Sequence, residues 1–191
     1  MLVEGGGGEQ DRAAAVELFR AATEGGDMYA AFNLAQHTDD AGEKLLLLER
    51  AAGQGLVVAG SVLGDRLSAS NRDEEALSWY LWAAERGETT AMYAAGCWYR
   101  DGFGTEPDPV QAVRWYFTML HHNAGDGVHD AIELLKAGAM AEVEVREAGR
   151  LAGRSAAAVA VVRAVRASGP QTLKSCHVRS QRHRAATATA L

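Results

Sequence analysis

The sequence predicts an all-α protein, an α-α superhelix in which helix-turn-helix repeats stack into a solenoid. Three observations predict it. The 191-residue chain is rich in Ala, Leu, Glu and Arg and has three prolines, Pro107, Pro109 and Pro170; Ala and Leu favour helices and Pro breaks them. The pattern Gly-x-x-x-Ala recurs at Gly26/Ala30, Gly55/Ala59, Gly87/Ala91 and Gly127/Ala131, followed four residues later by Leu34, Leu63, Ala95 or Leu135. Residues four apart share one helix face, and a small residue there admits a close second helix. A second helix also recurs, as Glu43 to Ala52, Glu75 to Ala84 and Gln111 to Leu120, with a half copy at Ala15 to Ala22.

Taken in order, residues 1–10 hold a glycine run and are expected to be a flexible N-terminus. Residues 11–137 form the repeat array. Its unit is helix A, loop, helix B and a glycine turn, glycine suiting the left-handed position that stops a helix. The glycine marks lie 29, 32 and 40 residues apart. Repeat arrays tolerate such drift because each unit touches only its neighbours and added residues go into loops. The added length falls in Asp101 to Pro109, where Gly and Pro are dense. Asp108 is placed to cap a helix N-terminus and Pro109 suits its first turn. Residues 138–167 are expected to form a capping helix, Val143 to Arg166, over the last repeat. Residues 168–191 are basic and lack apolar periodicity, which predicts a disordered tail. The half repeat at the start has a helix B without its helix A, so the chain is expected either to lack upstream repeats or to be a truncated gene product.

The third unit reads Ala91-x3-Ala95-Gly96-x2-Tyr99-x2-Gly102-Phe103-Gly104, then Asp108, then Ala112-x2-Trp115-Tyr116. The second reads Ala59-x3-Leu63-Gly64, then Asp73-x2-Ala76-x2-Trp79-Tyr80-x2-Ala83-Ala84-x2-Gly87. These resemble the Sel1-like repeat, a relative of the tetratricopeptide repeats with a longer loop between its helices. The unit from Gly26 departs from the pattern, with Ala35 at the helix glycine and Leu47-Leu48 in place of Trp-Tyr. The resemblance implies a non-catalytic scaffold for protein-protein interaction. It also implies that helix A lines the concave binding face and that the Trp-Tyr pairs pack helix B on helix A. Some members carry disulfides within each repeat; Cys97 and Cys176, the two cysteines here, do not fit that branch.

Charge is divided unevenly. Residues 1–135 carry 22 acidic and 9 basic side chains, residues 136–191 carry 3 and 10. The acidic body favours a basic protein or peptide partner. The basic tail allows association with nucleic acid or another polyanion, although no aromatic residues interleave its cations. No 18-residue apolar run and no signal-peptide pattern is present, which with two unpaired cysteines predicts a cytoplasmic protein.

Little in the sequence offers chemistry. His121, His122, Asp126 and His129 read as turn residues rather than metal ligands. Cys97 reads as a small hydrophobe, and Gly5 to Gly8 lack the Lys-Ser/Thr of a phosphate loop. No catalytic, cofactor or metal site is expected; the alternative of an enzyme on a repeat scaffold would need a proton-transfer pair in a pocket, and the sequence offers none. The expected partner-binding residues are those of helix A that turn away from Ala91, Ala95 and Tyr99. They form one column of Phe32, Ser61, Tyr93 and Glu133 and a second of Gln36, Asp65, Cys97 and Ala137, with Arg100 beyond. Of these, Phe32 and Tyr93 are expected to supply apolar contact, and Gln36, Asp65 and Arg100 polar orientation.

Overall fold

The computed structural model describes residues 9–168. Ten α-helices follow one another among the described residues: α1 Glu9–Glu24, α2 Met28–His37, α3 Ala41–Gly53, α4 Val57–Ala69, α5 Asp73–Ala84, α6 Thr89–Asp101, α7 Pro109–Thr118, α8 Asp126–Lys136, α9 Glu142–Leu151 and α10 Ser155–Ser168. A 3-10 turn, Met119–His122, extends α7. From α1 to α8 each helix packs on the one before it and the one after. Helices α2, α4, α6 and α8 are therefore the A helices, and α1, α3, α5 and α7 the B helices.

Three of the four B-to-A turns are built alike. Gly26, Gly55 and Gly87 have φ of 92°, 100° and 90°. Each is followed by a residue (Asp27, Leu56, Glu88) whose N–H returns to a carbonyl five residues back: Ala22, Ala51 and Ala83. Only a residue without Cβ takes that backbone cheaply. Two of the four A helices start on a side-chain cap of matching kind. Asp27 caps α2 and Glu88 caps α6 by accepting from their first free N–H groups, as N-terminal carboxylates do.

The fourth mark differs from its expected role. Gly127 is buried in the first turn of α8 and is not a turn glycine. Asn123, at φ 55°, makes that turn. A Cβ on Gly127 would meet the Cβ of Tyr116 at 2.6 Å, so this glycine serves close packing of α8 on α7. Part of the long third spacing thus comes from a helix glycine displaced from the turn. The remainder is the loop after α6: Gly102 and Gly104 both take positive φ, and Asp108 accepts from the N–H groups of Val110 and Gln111 at 3.0 Å to start α7.

The array ends in a different packing. Residues 142–168 form two helices rather than the single one expected, because Gly153, at φ 65°, breaks the chain between them. Helix α9 lies on α7, α10 lies on α8, and α9 and α10 pair with each other. The four helices α7 to α10 close a core of Val113, Tyr116, Phe117, Ala131, Val145, Ala148, Ala158, Val161 and Val162. A second core runs through α2 to α6 and includes Leu34, Leu48, Leu63, Leu67, Tyr80, Ala91, Met92 and Ala95. Helix α7 belongs to both, turning Trp115 toward the array and Tyr116 toward the end unit. The expected tail lies outside the described residues.

Candidate partner-binding face

The packing of B helices on A helices decides which side chains the A helices can show. Tyr80 of α5 and Tyr116 of α7 are buried. Each lies on the helix glycine of its own repeat. A Cβ on Gly64 would come within 2.8 Å of the Tyr80 ring, and one on Gly96 would overlap the Tyr116 ring. The hydroxyls then emerge on the far side of helix A. Tyr80 donates to Asp65 Oδ1 at 2.6 Å, and Tyr116 donates to Cys97 Sγ at 3.6 Å. Asp65 and Cys97 are equivalent positions in successive repeats, so the same column receives the phenol in both. Burial pushes both phenols far above their ordinary range, with the Asp65 carboxylate adding to the effect at Tyr80.

The Phe32, Ser61, Tyr93 column has a further role between repeats. Ser61 is buried, and its hydroxyl donates to Glu88 Oε2 at 2.8 Å. Glu88 is also the residue that caps α6, so Ser61 ties α4 to the next A helix. Tyr93 is placed similarly one repeat on. It is half-buried, its ring lies 5.8 Å from that of Tyr116, and it faces Cys97 and Asp130. Arg100 donates to Asp101 at 2.7 Å and to Asp130 of α8 at 3.4 Å. Tyr93, Arg100, Cys97 and Asp130 thus meet at the junction of α6 and α8.

Chemistry at this junction is quiet. Burial pushes the Cys97 thiol up, more than Tyr116 and Arg100 draw it down. The thiol is the favoured form, and a thiolate nucleophile is not prepared there. Burial also raises the carboxyl of Asp130 against the pull of Arg100. His121 binds the Ala152 carbonyl at 2.9 Å, closing the end of α9. Among the described residues no group of His, Cys, Asp and Glu is arranged to hold a metal ion. No described helix is long and apolar enough to cross a membrane.

Of the five expected binding residues, the structure brings Tyr93 and Arg100 together. Phe32 and Gln36 lie on α2, and Asp65 on α4. Gln36 and Asp65 are exposed, while Phe32 is half-buried against the array core. Two exposed residues of the same face went unread in the sequence. Tyr29 is 58% exposed and Val58 43%. Each immediately precedes the buried alanine of its repeat, Ala30 or Ala59. A position seven residues before Gln36 or Asp65 lies on the same side of the helix, so the signal was available as an i, i+7 spacing. Asp130, also missed, holds the corresponding position in α8.

Stacked antiparallel helix pairs, repeated turns and a tyrosine seated on a helix glycine define the class: an α-helical repeat scaffold. The chain carries Sel1 repeats, and the Sel1 repeat family model matches residues 1–27, 66–88 and 89–117. Two solved structures are similar. A protective antigen of uropathogenic Escherichia coli strains, described as displaying an SLR fold, aligns at TM-score 0.56 and 22% identity, over 81% of this chain and 41% of the antigen. A Sel1 repeat protein from Oxalobacter formigenes aligns at TM-score 0.52 and 26% identity, over 62% of this chain and 97% of that one. The chain thus spans less than half the length of the first. No curated protein matches the sequence.

Proposed function

We propose that this chain is a non-catalytic interaction scaffold whose A-helix face, formed by α2, α4 and α6, binds an extended or helical segment of a partner protein. The observation that carries the reading is the register of Tyr29 and Val58. Exposed apolar groups recur one repeat apart on the same helix face, as a surface that reads an elongated ligand requires. Phe32 adds apolar area beside Tyr29, and Gln36 and Asp65 add polar groups further along the same helices. Sel1 repeats generally serve as protein-interaction scaffolds, which supports the reading at the level of the family. The acidic balance of residues 1–135 favours a partner segment with basic groups. A reducing cytoplasmic setting keeps Cys97 a free thiol.

The test begins with affinity capture and identification of the bound protein. Its affinity is then measured for Tyr29→Ala, Phe32→Ala and Tyr93→Ala, each first shown to be folded. An aromatic anchor carries more than ~2 kcal/mol of binding, over tenfold in affinity. Tyr29→Ala and Phe32→Ala are expected to lose that much. Tyr93→Ala is expected to lose less per unit of exposed area, since its ring already packs on Tyr116. Unchanged affinity in all three folded variants moves the site to another surface.

A further inference from the structure

The face described above has a candidate occupant in the same chain. Residues 169–191 follow α10 and contain Lys174, Arg179, Arg182 and Arg184 with no carboxylate side chain; Leu173, Val178 and Leu191 supply apolar groups among them. The array presents the opposite charge. Exposed carboxylates lie along or just after three of the A helices: Asp39 after α2, Asp65 within α4 and Glu74 after it, Glu106 after α6. None of these four belongs to an ion pair among the described residues. All A helices point the same way, so their C-terminal ends, which themselves carry partial negative charge, line one edge of the face. The exposed Tyr29 and Val58 lie in the first turns of α2 and α4, at the opposite edge of the same face.

The distance is within reach. Helix α10 packs on α8, the last A helix. Packed helices lie ~8–10 Å apart, so the path from α10 over α8, α6 and α4 to α2, four such spacings, is roughly 30–40 Å. Twenty-three residues beyond Ser168 span up to about 75 Å when extended. A tethered segment of this kind is held at an effective concentration in the millimolar range. Weak contacts between cations and carboxylates suffice at that concentration, although salt screens them.

We propose that residues 169–191 lie along the α2, α4 and α6 face through these opposite charges and compete there with the partner segment. The competition rests on the binding reading given above; the docking does not. The tail is then a built-in rival ligand, and a partner gains the face by displacing it.

The experiment uses the full chain with a nitroxide on Cys176 and Cys97→Ser, a change that keeps an acceptor for the Tyr116 hydroxyl. Backbone amides of Tyr29, Val58, Asp65 and Glu74 are expected to broaden in the oxidised spin-label spectrum. The broadening is expected to fade in 1 M salt, on the order of a 3 Å screening length, and in the full-length variant Lys174→Gln, Arg179→Gln, Arg182→Gln, Arg184→Gln. Zero-length carbodiimide cross-linking of the unsubstituted chain is expected to join Lys174 to Asp39, Asp65, Glu74 or Glu106. Absence of both signals overturns the docking, as does broadening confined to α9 and α10. Broadening that appears only between labelled and unlabelled copies assigns the contact to a second molecule and also overturns it. A tail that docks nowhere but retains nucleic acid at low salt makes it a polyanion-binding segment instead. If docking holds, the four-fold variant is expected to bind the captured partner roughly two- to tenfold more tightly, the range set by a millimolar local concentration of a weak competitor. Docking with unchanged partner affinity overturns the competition alone. Loss of binding in Tyr29→Ala tests the binding reading independently.

Discussion

The hydroxyl of Tyr80 reaches past the helix on which its ring is packed and donates a 2.6 Å hydrogen bond to Asp65. A residue of the exposed face is thereby fixed from inside the core. Tyr80→Phe leaves the packing in place and removes the bond. A hydrogen bond to a charged group contributes about 1.5–3 kcal/mol. Asp65 is exposed, so water replaces the phenol and the lower end applies, about 1.5 kcal/mol. Chemical denaturation should show a lower midpoint at unchanged slope. A partner that contacts Asp65 should also bind Tyr80→Phe less well.

Alkaline pH tests the buried phenols. Tyr80, Tyr93 and Tyr116 are held protonated well above the usual phenol range, mainly by burial. The unfolded chain releases these protons near pH 10, and the folded chain keeps them. Above that pH the folded state binds more protons, so stability is intact below about pH 10 and falls as pH rises further. The fully buried Tyr116 alone contributes a slope of about 1.4 kcal/mol per pH unit. Tyr116→Phe should flatten the alkaline limb of a melting-temperature profile. An equal limb in both proteins would mean that this phenol titrates normally.

The glycines separate into packing and turn positions. Gly96→Ala forces a methyl into the Tyr116 ring and should cost about 1–3 kcal/mol by overpacking. Gly53→Ala, at the exposed end of α3 with nothing near its Cβ, should be neutral or stabilise by about 0.4–1 kcal/mol through the unfolded chain. Paired melting curves read both. Equal effects at the two sites would show that the Tyr-on-Gly contact does not define the repeat.

Asn123 carries the turn that a glycine makes elsewhere. Asn tolerates the left-handed region better than other residues with a Cβ, at a cost that glycine avoids. Asn123→Gly should leave stability unchanged or raise it slightly, and Asn123→Ala should lower it by about 1 kcal/mol. Thermal unfolding of the two variants is the check.

Two changes in the end unit should differ sharply. Glu142 and Arg166 join the start of α9 to the end of α10 at 2.7 Å, yet Arg166 is exposed and Glu142 only half-buried. Such surface pairs contribute little, and Arg166→Ala should barely move the melting temperature. Val145 is fully buried, and Val145→Ala should cost about 2 kcal/mol in lost contact and cavity. Denaturation followed at Trp79 or Trp82 should register it if both cores unfold together.

The repeats were legible because their signals are local. Three turn glycines, the Trp-Tyr pairs and the Asp108-Pro109 start are each written in a few adjacent residues, and the structure uses them as such. Gly127 misled because a glycine in a helix and one in a turn look alike in sequence; the neighbour that distinguishes them, Tyr116, is set by tertiary packing. Val143 to Arg166 reads as one helix because Gly153 is a single breaker within an Ala- and Val-rich stretch. The face itself was half legible. Helical spacing placed Tyr93 and Arg100 on the A-helix side, but it could not show that α8 and Asp130 claim them. It equally could not show that Tyr29 and Val58 are left uncovered.

The loop after α6 reaches across to the previous repeat. Gly104 sits so close to the Asp73 backbone that no Cβ fits between them, while Phe103 lies edge-on to Trp98 and Trp98 to Tyr80. The second and third repeats are therefore laced together on two sides, whereas the end of α3 is tied back to the α1–α2 turn by the Gln54 amide donating to the Gly26 carbonyl. Drawn apart by its ends, the molecule would shed its first three helices, Tyr29 and Phe32 with them, before the second and third repeats give way.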